Sequence, residues 1–285
     1  MIIDGKKCSE EILNKLSEEV VGFKEKLNKV PGLAVIILGD NPASKIYVRS
    51  KIRACEKVGV YSREIVLPEN ISEDDLIKEI EKLNNDRDIN GILVQLPLPK
   101  HIDEKKICDA ISIRKDVDGF KPESLGKIML GEDDGFISCT PQGIMYLIDE
   151  LNIDLNGKNA VVVGRSNIVG KPVASLLINK GATTTVCNSK TKDLEGILKR
   201  ADLIVIAIGK ARFLTKEMVK EGAVVIDVGI NREEGKICGD VDFDGVSQIA
   251  SHITPVPGGV GPMTIAMLLK NTVKAFCKEE LINGK

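Results

Sequence analysis

Lys51 stands four residues after Tyr47 in the run Ser44-Lys-Ile-Tyr-Val-Arg-Ser-Lys51. Four residues make about one helical turn, so on a helix the phenol and the amine share a face. A Tyr ring can stack on a flat ligand, and a lysine in a buried setting can lose its proton and act as a base. Taken alone, Tyr-x-x-x-Lys is unspecific, and such a pair is more often a half-buried Tyr beside a solvated Lys. Gln95 lies in Ile92-Leu-Val-Gln-Leu-Pro-Leu-Pro99, which reads as a buried strand. A buried amide must find hydrogen-bond partners, whether structural or catalytic. Two acids crowd a glycine in Lys115-Asp-Val-Asp118-Gly-Phe120, where turn chemistry alone is a sufficient reason for an Asp-Gly pair.

Two glycine-rich segments could hold ligands through their backbone. Val161-Val-Val-Gly164-Arg-Ser166-Asn-Ile-Val-Gly170-Lys-Pro follows a strand-like run and opens a helical one. That context suits a dinucleotide pyrophosphate, received by backbone N–H groups at a helix N-terminus. The spacing of Gly164, Ser166 and Gly170 departs from the strict G-x-G-x-x-G. The following strand ends Val186-Cys-Asn-Ser189-Lys-Thr-Lys192, with no acid before Asp193. An acid there usually holds the ribose hydroxyls of NAD. Its absence, with Arg165 in the turn and Ser189 nearby, favours NADP. The second segment is Pro255-Val-Pro257-Gly258-Gly259-Val-Gly-Pro262-Met-Thr264. Its prolines fix φ and its glycines permit close approach, so it can be a rigid turn or a shaped wall for a flat ligand.

These segments need elements to carry them. Leu33–Leu38, Tyr61–Leu67 and Gly91–Leu96 read as strands, alternating with helices over about Ser44–Val58 and Ile71–Asn84, the latter opened by an N-cap at Ser72. The rhythm resumes with helix Pro141–Leu151, strand Lys158–Val163, helix Val169–Lys180, strand Thr183–Cys187, helix Asp193–Arg200 and strands Leu203–Ile208 and Ala223–Val228. A last helix spans about Met263–Glu280, with Pro262 in its first turn. Near-continuous apolar strands alternating with helices indicate parallel sheets covered on both faces. Residues 115–139 read as an irregular crossing between domains.

The 285 residues suffice for two domains, and 43% are apolar. Aromatics are only 3%, so the cores are built from Ile, Val, Leu and Ala. A net charge of −2 lacks the basic surplus of a nucleic-acid footprint. The seven cysteines are scattered without C-x-x-C, which points to neither a disulfide framework nor a metal site and suits a reducing cytoplasm. No apolar run reaches the length of a membrane span. Motifs for zinc hydrolysis, serine hydrolysis and P-loop phosphoryl transfer are missing.

Together the segments quoted above, with Cys139-Thr-Pro-Gln-Gly143, resemble the bifunctional methylenetetrahydrofolate dehydrogenase/cyclohydrolase family over almost the full chain. The resemblance implies an α/β fold of two domains with a cleft between them. One is a parallel-sheet folate domain, residues 1–140 completed by 265–285. The other is a Rossmann-like NADP-binding domain, residues 141–264. It further implies NADP-dependent oxidation of 5,10-methylenetetrahydrofolate and hydrolysis of the methenyl product to 10-formyltetrahydrofolate. Lys51 is then the central catalytic group, tuned by Gln95. Tyr47 stacks on the aminobenzoyl ring, Asp118 anchors the pterin, Ser44 lies nearby, and Pro257, Gly258 and Gly259 line the folate site. Gly164, Arg165, Ser166, Ser189, Ile230 and Thr264 match cofactor-contacting positions. A homodimer joined through the cofactor domain completes what the family implies. Two other readings remain at this point: a shikimate dehydrogenase-like enzyme, and a regulator that binds NADPH without turnover.

Overall fold

The structure, a computed structural model, describes residues 1–283. In chain order its helices and strands are α1 (Gly5–Leu27), β1 (Gly32–Leu38), α2 (Pro42–Val58), β2 (Tyr61–Leu67), α3 (Glu73–Asn85), β3 (Gly91–Val94), α4 (Glu104–Ala110), α5 (Pro122–Leu130) and α6 (Cys139–Asp149). There follow β4 (Asn159–Val163), α7 (Gly170–Asn179), β5 (Thr183–Cys187), α8 (Leu194–Leu198), β6 (Leu203–Ile206), β7 (Val224–Asp227), β8 (Asn231–Glu233), β9 (Lys236–Cys238), α9 (Phe243–Val246), β10 (His252–Ile253) and α10 (Val260–Asn283). The chain divides into two compact units. One holds Glu10–Leu125, Gly135–Cys139 and the chain from Ile265 onward; the other holds Met1–Ser9, Gly126–Asp134 and Thr140–Thr264.

The first unit is built on a parallel sheet ordered β2-β1-β3. Every residue of β1 is buried, as expected for a central strand covered on both faces. β2 alternates exposed and half-buried positions because it is an edge. One face packs on α3, whose Leu76, Ile80 and Leu83 recur at helical spacing and meet Ala34, Ile36 and Ile92. Helix α3 starts where its cap demands: the Ser72 hydroxyl accepts from Asp75 N–H at 3.1 Å, and Glu73, Asp74 and Asp75 fill the first turn.

The second unit carries a five-stranded parallel sheet ordered β10-β7-β6-β4-β5. From β4 the chain runs to β5 on one side and to β6 on the other, which makes a topological switch point between β4 and β6. One face of the sheet is sealed by Leu198, Leu214 and Val246 against Val161, Ile204 and Val225.

The structure departs from the sequence reading in several places. The first nine residues join the second unit because Ile3 N–H donates to Ile253 O at 2.8 Å, placing the terminus beside β10. Strand β3 stops at Val94, two residues short of expectation. Within 115–139 lies an ordered helix, α5. Helix α1 was not expected, although Ile12, Leu16 and Val20 recur every fourth residue and all are buried. Helix α10 begins at Val260, which leaves Pro262 in its first turn.

Candidate active site

Lys51 lies on α2, the helix that leaves the carboxyl end of β1. Open α/β sheets present ligand-binding groups at that end. Gln95 is the first residue past β3, and its N–H still donates to Ile36 O at 2.9 Å. Its side chain is therefore beyond the strand rather than within it, a correction to the buried-strand reading. Lys51 Nζ donates to Gln95 Oε1 at 2.8 Å. Gln95 Nε2 donates in turn to Leu96 O at 2.8 Å, which fixes the amide orientation with its oxygen toward the lysine.

The acids of the Lys115–Phe120 segment divide their work. Asp116 is buried and accepts from Phe120 N–H at 3.3 Å and Lys121 N–H at 3.0 Å, so it is consumed by the turn. Lys115 is likewise structural, donating to Leu83 O at 3.0 Å and Asp86 O at 2.6 Å. Asp118 is left facing Lys51. Burial pushes its carboxyl up to about 6, against the charge of Lys51, and Asp116 adds to the rise. Burial pulls the Lys51 amine below the ordinary lysine value, opposed by the charge of Asp118. The pair thus sits where modest changes of environment alter both protonation states.

The sequence reading did not assign Cys139 to the site. Its buried Sγ donates to Val117 O at 3.4 Å, next to Asp118 in the chain. Burial raises the thiol well above its usual value, so it remains protonated. The buried Asn271 side chain on α10 donates to Val117 O at 2.8 Å and to Ile137 O at 3.0 Å, pinning the strands of chain on either side. Cys139 was readable as part of a quoted segment; Asn271 lay in a helix with no distinguishing pattern. Tyr47, one turn before Lys51, is 47% exposed, and its ring is open to a ligand. Ser44, in the first turn of α2, is buried and its N–H donates to Asn41 Oδ1 at 3.3 Å.

In the second unit, Gly164 and Gly170 are required by space. A Cβ on Gly164 would fall 2.5 Å from Ala207 O, and one on Gly170 2.2 Å from Gly164 O. Gly164 also has φ +127°, outside the range of other residues. The glycine turn therefore packs directly on the chain that leaves β6, at the switch point where an open α/β sheet receives its ligand. Ser166 has a local role: its Oγ accepts from Val169 N–H at 3.1 Å and Gly170 N–H at 3.3 Å at the mouth of α7. Arg165, Ser189 and Ile230 are exposed. After β5 the chain closes on itself, with Thr191 Oγ1 accepting from Asn188 N–H at 2.8 Å and Asn188 Oδ1 from Lys190 N–H at 3.0 Å. The first acid, Asp193, caps α8 by accepting from Gly196 N–H at 3.2 Å. The first carboxylate after β5 thus serves the start of α8.

The proline-glycine segment is held by close backbone contacts. Gly259 N–H donates to Pro255 O at 2.8 Å, Lys6 N–H donates to Gly258 O at 3.0 Å, and a Cβ on Gly5 would strike Gly259 O at 1.9 Å. Gly258 has φ +107°, and Pro257 is exposed on the turn. The Thr264 and Thr140 hydroxyls lie 3.0 Å apart. The structure thus brings Lys51, Gln95 and Asp118 together in one unit. The glycine turn, the β5 terminus and the proline-glycine segment belong to the other.

Comparison with known proteins accounts for both units. Residues 3–118 match the tetrahydrofolate dehydrogenase/cyclohydrolase catalytic domain, and residues 138–280 match the NAD(P)-binding domain of the same family. The bifunctional protein FolD of Halalkalibacterium halodurans is 55% identical over 275 residues, covering 96% of this chain and 98% of the relative. The crystal structure of bifunctional FolD from Campylobacter jejuni superposes with a TM-score of 0.96 at 52% identity, covering 98% and 99% of the two chains. FolD from Trypanosoma brucei, solved with NADP cofactor and an inhibitor, gives a TM-score of 0.94 at 38% identity over 98% of each chain. With both domain types matched in order and such identity sustained end to end, the chain belongs to the tetrahydrofolate dehydrogenase/cyclohydrolase family.

Proposed function

We propose that the protein oxidises 5,10-methylenetetrahydrofolate to 5,10-methenyltetrahydrofolate with NADP and hydrolyses the product to 10-formyltetrahydrofolate. The observation that carries this reading is the Lys51–Gln95–Asp118 cluster, an amine of lowered pKa bonded to a neutral amide and set against a carboxylate. Loss of hydride from the methylene carbon leaves a cation shared by its two flanking nitrogens, so oxidation needs positioning rather than a base. When bound, NADP supplies the hydride acceptor.

Hydrolysis makes different demands. Water must lose a proton as it attacks the cation, and ring opening must deliver a proton to nitrogen. Lys51, neutral for part of the time, takes that proton and returns it. Gln95 holds Nζ through an acceptor that keeps no permanent charge, so the amine is oriented without being locked as an ammonium. Asp118 accepts N–H groups of the pterin in a charge-assisted pairing, and the exposed ring of Tyr47 stacks on the aminobenzoyl group. Ser44, Pro257, Gly258 and Gly259 complete the folate contacts in this reading.

For the dinucleotide, the absence of a free acid after β5 and the exposure of Arg165 and Ser189 support a 2′-phosphate. Ser166, through the mouth of α7, together with Ile230 and Thr264, complete the cofactor contacts. Arg165→Ala is expected to weaken NADP by roughly tenfold or more while leaving NAD little changed. Titration of the variant with each dinucleotide checks this, and equal losses would contradict the 2′-phosphate assignment.

The same reading makes the protein a homodimer joined through its cofactor unit. Strand β5 is a sheet edge, and Val186, Ile178 and Leu130 expose 40%, 57% and 76% of their surface in that unit. Sedimentation should give a dimer that Val186→Lys shifts toward monomer; a monomeric wild type would remove this proposal. No helix among the described residues is long and apolar enough to cross a membrane. With cysteines that form no framework, a cytoplasmic enzyme is the consistent assignment.

A further inference from the structure

Two carboxylates of the second unit have no part in the chemistry above, yet they are among its most buried groups. Asp240 is 0% exposed and Asp227 3%. A buried carboxylate needs donors, and those of Asp240 come from two different loops. Its Oδ2 accepts from Ile208 N–H at 2.7 Å and Gly209 N–H at 3.0 Å. Its Oδ1 accepts from Lys210 N–H at 2.8 Å and Asn231 Nδ2 at 2.9 Å. Asp227, the last residue of β7, accepts from Gly229 N–H at 3.1 Å and Asp240 N–H at 2.9 Å through Oδ1, and from Val241 N–H at 3.0 Å through Oδ2.

Each acid also lies against a glycine within two residues of the other. A Cβ on Gly229 would fall 2.2 Å from Asp240 Cγ, and one on Gly239 would fall 1.8 Å from Asp227 Oδ2. The pattern Asp227-Val-Gly229 … Gly239-Asp240 is thus a reciprocal lock in which neither glycine position accepts a side chain.

The position of the lock gives it a purpose. Residues 208–210 leave the carboxyl end of β6, and residues 229–231 leave the carboxyl end of β7. Strand β6 forms one side of the switch point, where an open α/β sheet receives its ligand. The other side is the glycine turn, and Gly164 packs on Ala207, the residue before Ile208. Three consecutive N–H groups of that loop are gathered onto one carboxylate. The loop facing the glycine turn is fixed before any ligand arrives, and preorganisation of this kind lowers the cost of binding.

We propose that Asp240 is a positioning residue of the dinucleotide site, holding the loops after β6 and β7 in the shape that receives the cofactor. The proposal rests on the dinucleotide-binding reading above. Asp240→Asn replaces one acceptor oxygen by a donor facing N–H groups that already donate. NADP affinity, measured by calorimetric titration, is expected to fall about tenfold or more. Methenyl hydrolysis by the same preparation, which depends on the Lys51 cluster of the other unit, is expected to persist. Gly229→Ala, which drives a methyl group into the Asp240 carboxylate, is expected to show the same selective loss. Unchanged NADP affinity in the folded variants, parallel loss of binding and hydrolysis, or failure of both variants to fold would each overturn the proposal. A wild-type protein that hydrolyses the methenyl compound but binds no dinucleotide would instead overturn the reading on which it rests.

Discussion

Lys51→Met should lower methenyl hydrolysis by roughly 10²–10⁴-fold, the usual contribution of a positioned acid–base group. Methionine keeps the length and apolar stem of the lysine and removes only the amine. Gln95 Oε1 then loses its donor and Asp118 loses the charge that opposes its burial. Tyr47 and Asp118 remain in place, so folate binding should fall less than turnover. Stability should fall as well, because removing one member of a buried charge pair leaves Asp118 without its counter-charge, so the rate is compared on folded variant at a temperature below its Tm. Loss of methenyl absorbance with time is the measurement, and a wild-type rate would remove Lys51 from the mechanism. Because the amine is drawn below the ordinary lysine value, wild-type hydrolysis should also rise with pH as the base deprotonates.

Asp118→Asn should raise the KM for the folate by about 10–100-fold, the scale of a lost charge-assisted hydrogen bond. It should also change the pH profile in a defined direction. The wild-type carboxyl titrates at about 6. Folate kcat/KM should therefore climb through that region as the carboxylate forms, and the asparagine variant should lack this limb. The stability consequence has the opposite sign. Burial raises the folded pKa above the unfolded one, so the ionised form is disfavoured by folding. This group favours the fold below about pH 4, and that benefit is lost as pH rises toward 6. The asparagine variant escapes the loss, so above pH 6 its Tm should equal or exceed that of the wild type while its folate binding is impaired. A variant with unchanged kinetics would place Asp118 outside the site.

Much of this molecule is readable from local sequence because local and long-range demands coincide. The unbroken apolar run of β1 can only be a central strand, and Ser72 followed by three acids can only open a helix toward its C-terminal side. Lys51 and Tyr47 share a face because α2 is regular, and the glycine turn keeps its shape because Gly164 and Gly170 leave no room for a Cβ. What was hidden depends on partners distant in sequence. Nothing in Met1–Ile3 announces pairing with Ile253, which lies 250 residues on from Ile3. Gln95 looks like a strand residue until Leu96 O and Lys51 claim its two ends. Ser166 carries the signature of a ligand contact, yet its oxygen serves the backbone of its own turn. Asp240 resembles any acid of a surface loop, and only the three N–H groups of residues 208–210 show its function.

The claim beneath all of these is that the Lys51 amine works on the one-carbon bridge of a folate whose pterin is held by Asp118. A crystal structure with a folate analogue bound tests it most directly. The account predicts pterin N–H groups on the Asp118 carboxylate and the bridge within hydrogen-bond reach of Lys51 Nζ, about 3 Å directly or through one water. An analogue bound with its pterin away from Asp118, and the lysine turned to solvent, would contradict it.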